Sequence, residues 1–134
     1  MKILVPIDGS QNALQAVTYA VKQAKAFPDV HLTILYVALQ ESNAMRTQNF
    51  EETSSDAAEK VFAAAKALLE QVPAIFHMVS GISAADQILD YAEAGQFDAI
   101  IMGCRGMSDL KRFFLGSVST RVSQNAPCTV TLVK

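Results

Sequence analysis

The chain has 134 residues, 51% of them hydrophobic, with 11 Lys and Arg against 13 Asp and Glu and a net charge of -2. That length predicts one domain, residues 1–134, with a substantial core, and the charge balance argues against nucleic acid as a partner, since binding a phosphate backbone needs a basic excess. Cys104 and Cys128 form neither a zinc spacing nor a disulfide framework, the opening apolar run is too short for a signal peptide and no later run could span a bilayer, so the expectation is a cytoplasmic protein without membrane partners.

Apolar runs alternate with helical periodicity along the whole chain. Lys2 to Ile7 is a short β-branched run and reads as strand one. Ser10 caps the next segment, where Leu14, Val17, Ala20, Val21 and Ala24 recur at helical spacing up to Pro28. Val30 to Val37 is strand two. Ala38 to Asp56 is a polar insert, longer than such connections usually are, and is expected to be disordered or partly helical because it has little apolar material to hold it down. A lid over a ligand and a partner surface are the alternatives for this insert.

Helix two is expected over Ala57 to Val72, with Val61, Phe62, Ala65, Leu68 and Leu69 on one stripe, and Pro73 ends it. Ala74 to Val79 is strand three. Ser83 caps a third helix carrying Ile88, Leu89 and Ala92, with Asp86 placed for a capping box, and Gly95 stops it. Phe97 to Met102 is strand four, Ser117 to Asn125 a short helix and Cys128 to Val133 strand five. Strands this apolar, each separated from the next by a helix, define an α/β fold: a single-domain open parallel sheet with helices on both faces, Rossmann-like in layout.

After strand four the glycines stand as G-x2-G-x9-G-S, at Gly103, Gly106 and Gly116-Ser117. A strand that ends in glycine, followed by a Gly-Ser pair opening a helix, suits a phosphate-binding loop, because glycine permits close approach and the helix start offers unpaired N–H groups. In open parallel sheets ligands bind beyond the carboxyl ends of the strands, so Asp8-Gly9-Ser10 after strand one is expected to face Gly103 to Gly106 across a crevice. Gly103 and Gly106 would pass close to ribose and phosphates, and Gly116, Ser117, Val118 and Ser119 would present N–H groups and two hydroxyls. Asp8 suits ribose hydroxyls or a phosphate-bound magnesium ion. Arg105, Lys111 and Arg112 could add charge, although the last two, beside Phe113 and Phe114, also read as a solvated face. Cys104 and Cys128 read as packing residues, and His31 and His77 as structural.

Met1-Lys-Ile-Leu-Val-Pro-Ile-Asp-Gly-Ser, Asp98-Ala-Ile-Ile-Met-Gly-Cys-Arg-Gly, Leu115-Gly-Ser-Val-Ser and Ala126-Pro-Cys-Thr-Val together resemble the universal stress protein family, in its nucleotide-binding branch. The resemblance implies strand order 3-2-1-4-5 in an adenine nucleotide alpha hydrolase-like sheet, ATP or another adenine nucleotide as ligand, and a homodimer paired through strand five. It also implies positions: Pro6 and Asp8 near the adenosine, the Val37 backbone at the adenine, Met102 and Gly103 near base and ribose, and Arg105, Gly106, Gly116, Ser117, Val118 and Ser119 around the phosphates. Thr129 and Thr131 depart from a uniformly aliphatic last strand and make that dimer contact more polar.

The expected function is regulatory nucleotide binding in a stress response, with ATP turnover slow or absent. The loop lacks the lysine of G-x4-G-K-S/T and holds no His or Glu to activate water. A nucleotidyl transferase or ATP hydrolase would want a different turn after strand one, a phosphoacceptor domain would need acidic residues after strand three, and a dimeric scaffold with an empty pocket is the remaining alternative.

Overall fold

In the computed structural model, which describes residues 1–40, 50–106 and 115–134, β1 (Lys2–Ile7) runs through the middle of a five-stranded parallel sheet ordered β3-β2-β1-β4-β5. The other strands are β2 (His31–Leu39), β3 (Ala74–Gly81), β4 (Ala99–Gly103) and β5 (Thr129–Val133). All of β1 after Lys2 is buried because helices cover both faces, which is why its sequence is a continuous apolar run instead of an alternating one.

Helices α1 (Gln11–Ala26) and α2 (Phe50–Lys66) pack on one face, where Val17, Val21 and Ala65 meet Ile3, Val5 and Ile34. On the other face α3 (Ala84–Ala94) and α4 (Ser117–Asn125) bring Ile88, Ala92 and Val122 against Leu4, Leu35 and Ile100. The Ser10 hydroxyl accepts from the Ala13 N–H at 3.2 Å and caps α1. Ser83 caps α3 by accepting from the Asp86 N–H at 3.3 Å, while the Asp86 carboxylate meets Arg121 of α4 at 2.7 Å and so ties the two helices together.

The expected strands are present with ends shifted by a residue or two, but two boundaries need correction. Strand β2 runs on to Leu39 and α2 begins at Phe50, so much of the polar insert expected over Ala38 to Asp56 belongs to regular elements; residues 41–49 lie outside the described residues. Helix α2 also stops at Lys66, short of Val72. Tight turns follow, Leu68 N–H to Ala65 O at 3.0 Å and Val72 N–H to Leu69 O at 2.8 Å, and Glu70 and Gln71 take positive φ of 47° and 72° to turn the chain into β3. Leu68 and Leu69 still pack on the core from this turn, which accounts for their place on the apparent helical stripe.

Pro6 explains how the sheet opens. The Asp98 N–H donates to Lys2 O, so the even-numbered main-chain groups of β1 face β4, and Pro6 has no N–H to offer there. Pairing of β1 with β4 covers only Ile3 with Ala99 and Leu4 with Ile100, whereas its pairing with β2 continues to Ile7. The strands part at Pro6, at the carboxyl end where the chain reverses its direction of winding.

Candidate functional site

A cavity of about 760 Å³ lies at that parting, lined from β1 by Pro6 and Asp8, from β2 by Val37, from β4 and its loop by Met102, Gly103, Arg105 and Gly106, and from the start of α4 by Gly116, Ser117, Val118 and Ser119. Every site residue expected from the sequence therefore lines one space. Lys111, Arg112, Phe113 and Phe114 lie outside the described residues.

The turn after β1 is built on Gly9, whose φ of 86° is a left-handed conformation suited to glycine. This turn lets Asp8 Oδ1 accept from the Ser10 N–H at 2.9 Å, which orients the carboxylate. Its Oδ2 faces the β4 loop, for a Cβ on Gly106 would stand 2.9 Å from it. Asp8 and Gly106 are thus in direct apposition, as the two motifs require for a shared crevice.

Gly103 lines the cavity and also answers a packing need. A Cβ there would lie 2.8 Å from the Asn12 carbonyl carbon and 2.9 Å from the Ala13 nitrogen, so this glycine is required by the first turn of α1 packing on β4. Gly116 is the N-cap of α4, with φ -66° and ψ 160°, a conformation any residue adopts, and no side chain caps the helix. The first N–H groups of α4 have no intrahelical acceptors and carry the positive end of its dipole. Ser119 departs from expectation. Its hydroxyl is buried and donates to Cys104 O at 2.7 Å, with Gly116 O at 3.0 Å, so its hydrogen is not free for a ligand in the cavity that the residue lines.

At the other end, strand geometry sets what β2 can offer. His31 donates to Met1 O and Gln40 to Gly81 O, so odd-numbered main-chain groups of β2 face β1 and even-numbered ones face β3. Pairing with β1 ends at Tyr36 while pairing with β3 continues to Leu39. Beyond Ile7 the Val37 carbonyl and the Leu39 main chain therefore face the space above the end of β1, beside apolar Ala38, Ala57, Ala84 and Ile88. Such an edge, polar in its main chain and apolar around it, suits a flat heteroaromatic ring.

Sequence reasoning missed the roof of this end. Thr53, Ser54 and Ala57 of α2 line the cavity, and α2 crosses the β1–α1 turn, with Val61 Cγ2 3.3 Å from a Cβ position on Gly9. The signal was present: Ser54, Ala58, Val61, Phe62 and Ala65 continue one helical stripe once serine is admitted to it.

The remaining candidates do not line this cavity. His77 stacks on Tyr91 with ring centroids 5.3 Å apart, and His31 lies at the amino end of β2, away from the cavity. Cys104 is buried; Cys128 is only half-buried, and burial first, then the Asp98 charge, pushes its thiol pKa up. Among the described residues no three His, Cys, Asp or Glu side chains cluster as a metal site, and no helix is long and apolar enough to cross a membrane.

An open, doubly wound α/β sheet with its cavity at the switch point defines the structural class. Within it, the chain belongs to the universal stress protein family, whose model matches residues 1–134. It is 33% identical to a universal stress protein of Methanocaldococcus jannaschii, over 99% of this chain and 81% of the relative. It superposes on the universal stress protein UspA from Lactobacillus plantarum with a TM-score of 0.76 and 29% identity, covering 100% of this chain and 97% of the other. A universal stress protein solved in complex with cAMP superposes with a TM-score of 0.74 and 22% identity, over 100% and 97% of the two chains.

Proposed function

We propose that this protein binds an adenine nucleotide, ATP with magnesium foremost, as a regulatory ligand in a stress response, with turnover slow or absent. The observation that carries the reading is the convergence, in one cavity, of the Asp8 carboxylate, the Gly106 loop and the uncapped start of α4 at one end with the open edge of β2 at the other. Adenine would lie against Val37, ribose near Asp8, Met102 and Gly103, and phosphates among Arg105, Gly106, Gly116, Ser117 and Val118. Structural neighbours that hold adenine nucleotides support the ligand class. Asp8 Oδ2 fits a magnesium ion carried by the phosphates, a hard cation that takes carboxylate oxygen.

The Gly116 conformation adds an independent argument. Its dihedrals need no glycine. A residue without a side chain at the start of an uncapped helix is what close approach of an anion requires. Calorimetric titration with ATP and magnesium, on the parent and on Gly116→Val, tests the reading: valine adopts these dihedrals, so the variant is expected to fold and not to bind. Binding by a folded variant would place the phosphates elsewhere, and a folded parent that does not bind would leave a scaffold.

The same reading extends to a homodimer through β5. This strand is an edge, half-buried over Val130 to Val133, with Val130 and Leu132 packed toward α3 and α4. Edge strands of this kind need covering, and a second copy would pair with it across a two-fold axis.

A further inference from the structure

Ser119 stands in Gly116-Ser-Val-Ser where sequence alone assigns its hydroxyl to the phosphates, yet the residue is only 2% exposed and its O–H is directed into the protein. Its Oγ lies 2.7 Å from Cys104 O and 3.0 Å from Gly116 O. One hydroxyl hydrogen serves one acceptor well, and the shorter contact is to Cys104. The same carbonyl accepts the Gly116 N–H at 2.8 Å, so two donors from the first turn of α4 close on one oxygen at the end of β4. Cys104 is held from its other side as well, its N–H donating to Val133 O of β5 at 2.9 Å.

We propose that Ser119 is a positioning residue: its hydroxyl clamps the Cys104 carbonyl, and through it the start of α4, so that the N–H groups of Ser117 and Val118 converge on the ligand's phosphates. This rests on the nucleotide reading and deepens it. Ser119 does not touch the phosphates. The energetic reason is preorganisation: N–H donors fixed by β4 need no ordering when the anion arrives, whereas a helix start held only by the Gly116 N–H can tilt and fray.

The test separates the two ends of the ligand. In Ser119→Ala, ATP affinity is expected to fall about tenfold while adenosine, which has no phosphate, binds as it does to the parent. Ser119→Thr is expected to keep ATP binding within about twofold, because a threonine Oγ1 placed where the serine Oγ lies still donates to the Cys104 carbonyl. Amide exchange at Gly116 in the ligand-free protein reads the clamp directly and is expected to quicken in the alanine variant alone. Parent-like ATP binding by Ser119→Ala, equal losses for ATP and adenosine, an unchanged Gly116 exchange rate, or failure of Ser119→Thr would each overturn the assignment. A folded parent that binds no ATP would overturn the nucleotide reading itself, and with it the positioning role, while the exchange result would still show whether the clamp exists.

Discussion

Gly106 lies against Asp8 so closely that a Cβ at position 106 would stand 2.9 Å from Asp8 Oδ2, nearer than a carbon and an oxygen tolerate. The space Gly106 leaves is the space the carboxylate occupies. Gly106→Ala should therefore displace Asp8 Oδ2 while Oδ1 keeps its bond to Ser10, and lower ATP affinity about tenfold through loss of a charge-assisted contact. Titration calorimetry beside a thermal melt checks this; unchanged affinity in a folded variant would remove Asp8 from the ligand's reach.

Gly103→Ala should behave in the opposite way. Its new methyl meets the main chain of Asn12 and Ala13 at 2.8 to 2.9 Å, and backbone cannot rotate aside as a side chain can. Overpacking of this kind typically costs about 1 to 3 kcal/mol, so the denaturant midpoint should fall well before binding is lost. A variant as stable as the parent that no longer binds would return Gly103 to the role expected from sequence.

Ser54 is 9% exposed and lines from α2 the end of the cavity beside β2, where the proposed adenine would lie. Deleting its hydroxyl in Ser54→Ala removes one hydrogen-bonding group worth about 0.5 to 1.5 kcal/mol. ATP and adenosine affinities should fall together, by about 2- to 12-fold, and parallel titrations would show it. A loss confined to ATP would put Ser54 at the phosphate end.

The dimer edge can be tested through the main chain. Cys104 donates to Val133 O, so odd-numbered groups of β5 face β4 and the Val130 N–H points outward. Val130→Pro should remove an outward donor without breaking the ladder to β4, and sedimentation of the variant should give a monomer where the parent gives a dimer. A variant dimer would place the two-fold contact on another surface.

Much of this architecture was legible in the residues. Continuous apolar strands separated by helical stripes required a parallel sheet covered on both faces, and the Gly103, Gly106, Gly116-Ser117 spacing marked the end of the sheet where the cavity opens, because these signals are local and periodic. The limits of α2 were harder to read. Its first turns are too polar to look helical until Ser54 is seen to roof the cavity, and its end is hidden because Leu68 and Leu69 keep facing the core from a turn.

What only the tertiary structure decided is the job of each small residue. The three glycines of one motif do not share one reason to be glycine: Gly103 yields to the first turn of α1 and Gly106 to the Asp8 carboxylate, whereas Gly116 has dihedrals open to any residue. Ser119 likewise turns inward to Cys104, though nothing in its neighbours in sequence distinguishes it from Ser117. The physical reason is the same in each case: a chain's periodicity states which face a residue takes, but whether a missing methyl or a hydroxyl serves packing or ligand depends on an atom, supplied by a distant segment, that lies within about 3 Å of it.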